Sequence, residues 1–144
     1  MNLPTKIVIG ADHAGYEYKE AIKQYLTTKN IDVIDVGTHS CDSVDYPDFA
    51  HATAQEIENG NVAFGVLVCG SANGVAITAN KHQQVRAAIC WQNEIAQLAR
   101  QHNNANIICL PARFVTLDDA LEMTHTFLTT DFEGGRHQKR VEKI

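Results

Sequence analysis

Apolar and polar positions along the chain fall into two alternating kinds of stretch. Short apolar runs occur at Lys6–Ile9 (KIVI), Ile31–Val36 (IDVIDV), Ala63–Val68, Arg86–Trp91 (RAAICW) and Asn106–Leu110 (NIICL). Runs of this length, nearly continuous in Val, Ile and Ala, are what a strand buried on both faces requires. Between them the apolar residues recur at helical spacing. Tyr18, Ala21, Ile22, Tyr25 and Leu26 predict an amphipathic helix beginning near Ala14, and Asp12 is a residue type favoured at its N-cap. The loop GTHSCDSVDYPD is rich in turn formers, and Pro47 suits the first turn of a helix carrying Ala50, Ala54 and Ile57 and stopping near Asn59-Gly60. Val75–Asn80 reads as the start of a third helix. Ile95, Leu98 and Ala99 mark a fourth, which closes over Gln101-His102-Asn103-Asn104. Thr116 caps a fifth, with Asp118 and Asp119 in its first turn and Leu117, Ala120, Leu121, Phe127 and Leu128 on its apolar side. A basic C-terminal helix follows the turn Glu133-Gly134-Gly135.

Strands alternating with helices predict a parallel sheet covered on both faces. The expected fold is therefore α/β: a Rossmann-like three-layer α/β/α sandwich with a five-stranded parallel sheet and a C-terminal helix. It is read as a single domain over residues 1–144. In open sheets of this kind ligands bind beyond the carboxyl ends of the strands. The polar residues gather there: Asp12-His13 after the first strand, Asp45-Tyr46 after the second, and Cys69–Gly74 after the third.

Composition narrows the function. With 44% hydrophobic and 20% charged residues the chain has an ordinary globular balance. No apolar run approaches the ~20 residues of a membrane helix, and the N-terminus has no signal-peptide pattern. Cytoplasmic residence is the expectation. The four cysteines (41, 69, 90 and 109) show neither zinc-finger spacing nor a CxxC pair, so Cys90 and Cys109 read as small buried hydrophobes without disulfides. The net charge of −5 argues against a nucleic-acid partner. Residues 135–144 run against that trend, with Arg136, Lys139, Arg140 and Lys143 facing one Glu142. A local basic patch on an acidic chain points to a small anionic ligand.

The candidate chemistry centres on GVLVCGSANGVAITANK, Gly65–Lys81. It places the Cys69 thiol at a strand's end beside Gly70, Ser71, Ala72, Asn73 and Gly74, just before a helix. Backbone N–H groups there favour negative charge. The arrangement suits a cysteine with a lowered pKa and a cradle for a negatively charged oxygen. It is not a nucleotide loop, since neither GxGxxG nor GxxxxGK[ST] occurs. Asp12 has a structural use as a cap, whereas His13 has none. His102 and Asn103 suit a helix end, where such residues are common. Arg136 and Arg140, four apart with His137 beside them, suit either a solvated face or an anion site. Arg113, after the fifth strand, is placed to join such a site.

Together, GADHAGYEYKE, VGTHSCDSVDYPDFA, GVLVCGSANGVAITANK, VRAAICW, LARQHNNANIICLPAR and FEGGRHQKRV resemble the ribose-5-phosphate isomerase B family. Its close relatives are the galactose-6-phosphate isomerase subunits. The resemblance runs from about Lys6 to Ile144. It implies metal-independent and cofactor-free interconversion of ribose 5-phosphate and ribulose 5-phosphate in the non-oxidative pentose phosphate pathway. It further implies that Cys69 is the base moving a proton between C1 and C2, that His102 assists ring opening, and that Asp12 lies beside the sugar oxygens. The Gly70–Gly74 backbone, including Ser71, Ala72 and Asn73, matches the enediolate cradle, and Asn103 a sugar-hydroxyl contact. His13, Arg113, Arg136, His137 and Arg140 match phosphate and substrate contacts. The family's members are homodimers, sometimes tetramers, with each site completed by the partner subunit. Two departures stand out: Ser71 where the family often has Thr, and Ala72 where it often has Gly. Some relatives replace the cysteine by a Glu shortly after this loop, but position 75 here is Val, which assigns the chain to the cysteine-base class.

Three rival readings remain. A galactose 6-phosphate or allose 6-phosphate isomerase would share the site. A cysteine hydrolase would use Cys69, His102 and Asp45. A non-catalytic sugar-phosphate-binding protein would keep the pocket and tolerate loss of Cys69.

Overall fold

The computed structural model describes residues 2–144. Five strands, β1 (Lys6–Ala11), β2 (Asp32–Asp35), β3 (Gly65–Cys69), β4 (Ala87–Ile89) and β5 (Ile107–Pro111), form one sheet in the order β2-β1-β3-β5-β4. Every pairing is parallel. The helices are α1 (Tyr16–Thr28), α2 (Tyr46–Glu58), α3 (Asn73–Ala79), α4 (Asn93–Asn103), α5 (Leu117–Thr129) and α6 (Gln138–Val141). This is the predicted α/β sandwich.

Successive side chains of a strand point to opposite faces, so each interior strand feeds two cores. Ile7, Ile9, Val66, Val68, Ile108 and Leu110 pack with Ile22 and Leu26 of α1, Ala96 of α4, and Met123, Phe127 and Leu128 of α5. On the other face Leu67, Cys69, Ile107 and Cys109 meet Ala50 and Ala54 of α2 and Val75, Ala76 and Ala79 of α3. The layer of α1, α4 and α5 is the thicker one, built from large side chains, each worth about 1.5–3 kcal/mol when fully buried. The α2–α3 layer uses alanines, which let those two helices lie close to the sheet.

Several boundaries move from expectation. β4 is three residues, and Trp91, read as part of that strand, is 53% exposed. α1 begins at Tyr16 rather than near Ala14, with Gly15 as its N-cap. Asp12 does not cap the helix itself. Its Oδ1 accepts from the Gly15 N–H at 3.0 Å, closing the turn that precedes it. The basic C-terminal helix is shorter than predicted: Gly135–His137 form a 3-10 turn, and only Gln138–Val141 are α-helical. Thr116 caps α5 as expected, accepting from the Asp119 N–H at 3.1 Å.

The chain moves outward from β1 to β2, then crosses back to lay β3 on the other side of β1. The reversal puts a switch point between the carboxyl ends of β1 and β3, where open α/β sheets bind ligands. Ala11 pairs with Val68, so Asp12 and Cys69 come next, side by side. Gly15 makes this approach possible, because a Cβ there would be driven into the Val68 carbonyl.

One feature has no counterpart in the sequence reading. Lys19, on the inward face of α1, is fully buried. Its Nζ donates to Asp35 Oδ2 at 2.6 Å, and Lys23 reaches the same oxygen at 3.0 Å. Asp35 Oδ1 accepts from the Gly37 N–H at 2.9 Å. Gly37 and Thr38 then bond the Ala11 backbone at 2.8 and 2.7 Å. The ion pair thereby fixes the loop that flanks the switch point.

Candidate active site

Two groups of candidate residues exist, at opposite ends of the sheet. The first lies at the switch point. Cys69 ends β3 and is 7% exposed, with Asp12 next to it at 6%. The turn after Cys69 is held from below: Ala112 N–H donates to the Cys69 carbonyl at 2.9 Å and Arg113 N–H to the Gly70 carbonyl at 3.0 Å. Arg113 folds its guanidinium over this turn, where a Cβ on Gly70 would meet its Nη1 at 3.2 Å. Ser71 Oγ accepts from the Asn73 backbone and side-chain N–H groups at 3.4 and 3.3 Å. Ala72 takes φ 66°, a left-handed conformation that glycine adopts freely, so the substituted position keeps the turn at a cost in strain. Gly74 receives the Tyr46 ring against its Cα, a contact that any Cβ would block. His13 Nδ1 accepts from the Val44 N–H at 3.2 Å. That bond leaves the imidazole proton on Nε2, where it is free to donate to a ligand.

The acidity of Cys69 runs against the sequence expectation. Burial and then the Asp12 carboxylate push the thiol above its ordinary value, and the Ala72 and Ser71 N–H groups pull it down less strongly. Residue order shows the donors but not the carboxylate that β1 brings alongside. The other core cysteines match their bland reading: burial pushes Cys90 up to about 12 and Cys109 well above its ordinary value. All four cysteines are free.

The second group lies where α4 ends, at the amino end of the sheet. His102 stacks on His137 with ring centroids 4.2 Å apart and planes 15° from parallel. Glu133 Oε1 sits 3.6 Å from His102 Nε2 and 4.0 Å from His137 Nε2. The Glu133 N–H donates to the Gln101 carbonyl at 3.1 Å, tying the C-terminal segment to α4. Buried Arg100 strengthens that tie, donating to the Thr130 and Ala105 carbonyls at 3.1 and 2.6 Å. Arg136 Nε lies 3.5 Å from His137 Nε2. Burial, followed by His102 and Arg136, pushes His137 below its ordinary value. Arg140 is exposed on α6. Asn103 is exposed and lines a hollow with Arg86, Ala88 and Ile144.

The separation follows from the topology. Cys69 is level with Pro111, the last residue of β5, whereas α4 leads into Ile107, its first. Four residues of strand span roughly 13 Å. Within one chain Asp12, His13, Cys69–Gly74 and Arg113 therefore converge, while His102, Arg136 and His137 converge elsewhere. The Cys69–His102–Asp45 triad of a hydrolase does not form within the chain. Tyr46, a polar residue after the second strand, meets Gly74 only in the folded chain, and Glu133 reads in the sequence only as part of a turn. Glu133 is signalled solely by its spacing of four from His137.

An exposed apolar strip borders the first group. Trp91 and Phe114, the latter 74% exposed, line a hollow with Ser71, Asn73, Ile89 and Pro111. Ile77 on α3 is also exposed. Among the described residues no helix is long and apolar enough to cross a membrane.

The family model described as Ribose/Galactose Isomerase matches residues 7–144. The chain belongs to that family. Among its relatives, ribose-5-phosphate isomerase B of Escherichia coli is 41% identical over 139 residues, covering 96% of this chain and 93% of that protein. The crystal structure of a ribose 5-phosphate isomerase from Thermotoga maritima superposes with a TM-score of 0.94 at 47% identity, covering 96% of both chains. A structure of ribose-5-phosphate isomerase B from Mycoplasma genitalium, with bound ribulose-5-phosphate, superposes at 0.93 with 42% identity, covering 99% of this chain and 95% of that one.

Proposed function

We propose that this chain, acting as one domain, interconverts ribose 5-phosphate and ribulose 5-phosphate in the pentose phosphate pathway of the cytoplasm, with Cys69 as the base. The observation that carries the reading is the pairing of the Cys69 thiol with Asp12 beside the Gly70–Gly74 donors, under the Arg113 guanidinium. An aldose–ketose isomerase must remove a proton alpha to a carbonyl, hold the resulting enediolate oxygen, and anchor a dianionic phosphate. Cys69 as thiolate takes the C2 proton of the open aldose, and the electron pair moves to the carbonyl oxygen. The O2 proton passes to O1, and the proton held by Cys69 returns to C1, so that C2=O forms and the thiolate is regenerated. A thiol above its ordinary pKa is a scarce base at neutral pH but a strong one once formed. Backbone donors aimed at a developing oxyanion are worth about 2.7–4 kcal/mol for a single donor. Arginine forks and the His13 Nε2–H suit the phosphate.

Ring opening and the remaining phosphate contacts fall to His102, Asn103, Arg136, His137 and Arg140. These lie beyond reach of Cys69 in one chain, so the reading includes a homodimer in which a second copy supplies them. The exposed strip of Ile77, Trp91 and Phe114 beside Ser71 is the surface for that copy, since large apolar patches mark interaction sites. A hexose 6-phosphate remains the second reading, because the family's description includes galactose.

The test is turnover of ribose 5-phosphate by the purified protein in chelator, alongside Cys69→Ala. The variant is expected to lose turnover by about a thousandfold or more while binding the sugar phosphate within a few-fold of wild type. Turnover retained by the variant would remove Cys69 as the base. Turnover of galactose 6-phosphate alone would move the substrate to the hexoses.

A further inference from the structure

His102, Glu133 and His137 offer three ligand atoms within 4.8 Å of one another, and among the described residues no other trio of His, Cys, Asp or Glu converges in this way. Two imidazoles and one carboxylate are a donor set that zinc takes in open tetrahedral sites. With metal–ligand bonds of about 2.0–2.2 Å, the edges of such a tetrahedron are about 3.3–3.6 Å long. The His102–Glu133 separation of 3.6 Å already meets this, and the His137–Glu133 separation of 4.0 Å must close only slightly. The stacked rings lie 15° from parallel, so their lone pairs lie in nearly parallel planes. Convergence of the lone pairs requires His102, about one-third exposed at the end of α4, to turn about its Cβ–Cγ bond. His137 is buried and holds its place.

Arg136 Nε donates to His137 Nε2 at 3.5 Å, and a cation bound at that nitrogen must displace this long hydrogen bond from an exposed side chain.

We propose that His102, Glu133 and His137 form a binding site for a zinc-class divalent cation, with water as fourth ligand, and that the bound cation withdraws His102 from the isomerisation. The inhibitory half rests on the role given to His102 above, whereas the binding half does not. The chemistry is reversible coordination: the cation takes a lone pair from each ring nitrogen and from the carboxylate, and no covalent bond changes. Arg136 and Arg140 make the neighbourhood positive, which sets the affinity below that of closed structural sites.

The experiment is a calorimetric titration of Zn2+ into the chelator-stripped full-length protein without sugar. One saturable site per chain is expected, weakened at least about tenfold in both Glu133→Gln and His137→Ala. Two controls address the other donors on the surface. His82 bonds Glu58 and His51 at 2.7 Å each, and Cys41 is an exposed thiol. His82→Ala and Cys41→Ser are expected to leave the affinity unchanged. Stoichiometric binding retained in both Glu133→Gln and His137→Ala, or lost in either control, would overturn the site. The absence of a saturable isotherm would do the same. In a second arm, Zn2+ is expected to suppress turnover of ribose 5-phosphate in wild type and much less in Glu133→Gln, with chelator restoring it. Binding without suppression would remove the inhibitory half. A protein inactive on ribose 5-phosphate would fail the isomerase reading, while the calorimetry would still decide the site.

Discussion

Asp12 and Cys69 face each other at the ends of adjacent strands, and their contact governs how readily the thiol ionises. Burial raises the Cys69 pKa first and the Asp12 carboxylate raises it second. Removing the negative charge should let the thiolate form at lower pH. Asp12→Asn is therefore expected to shift the iodoacetamide alkylation profile of Cys69 toward lower pH, relative to a wild type whose midpoint lies above that of a free cysteine. Mass spectrometry assigns the modified residue. A midpoint that stays put or rises would show that Asp12 is not the source of the shift. At this scale the sequence was informative about which atoms matter and silent about their acidity. The turn and helix start after Cys69 are contiguous in the chain, so their N–H donors were legible. Asp12 is fifty-seven positions away and becomes a neighbour only through strand order.

The elements meet through two contacts that periodicity does not reveal. The first is Gly15 against the Val68 carbonyl. Because the obstacle is backbone, Gly15→Ala is expected to cost about 3 kcal/mol or more, read as a lowered urea midpoint with an unchanged slope. A loss below 1 kcal/mol would mean that β1 and β3 can part without harm. The second contact is Lys19 with Asp35, joining α1 to β2. The helical pattern marks α1 through Ile22 and Leu26 but gives no sign that Lys19 is buried. Its burial depends on a carboxylate supplied by the next strand.

Burial pushes the Asp35 carboxyl up, yet hydrogen bonds from Lys19, the Gly37 N–H and Lys23 outweigh this and hold it below its ordinary value. A depressed carboxyl binds fewer protons folded than unfolded. Its contribution is therefore present above the ordinary carboxylate range and is lost as pH falls through the folded value. Asp35→Asn leaves buried Lys19 with only the longer 3.4 Å contact to Glu20 and is expected to cost about 3 kcal/mol at neutral pH. It should also flatten the acid limb of the stability–pH curve, measured by denaturant unfolding from pH 7 to 3. Lys19→Met should cost less, since Lys23 still pairs with Asp35. Equal costs would argue against an uncompensated buried charge.

For the whole molecule, the placement of the two side-chain groups carries an expectation about assembly. Suppose that Cys69 of one copy works with His102 of another. A Cys69→Ala chain and a His102→Ala chain, each inactive alone, then form a mixed dimer with one intact site and one doubly damaged site. Random exchange of subunits is expected to restore about a quarter of wild-type activity, because half the dimers are mixed and each has one of two sites. No recovery after demonstrated exchange would place each site within one chain. The layered α/β architecture was legible as a whole, because strand and helix periodicities alternate cleanly from Lys6 to Leu128. The order of the strands was not, since apolar runs of equal length do not say which neighbours pair. The separation of His102 from Cys69 has a different origin. Their distance is set by the antiparallel run of α4 against the strands.

The sheet tapers toward both sides. β1, β3 and β5 have six, five and five residues, while the flanking strands β2 and β4 have four and three. A sheet's outermost backbone groups are the template on which foreign strands add, and here that template is short. At β2 it also carries the exposed Asp32, whose charge discourages apolar partners. Unwanted growth into fibrils is thus checked at the rims, and the middle of the sheet remains free to be long, apolar and almost without charge.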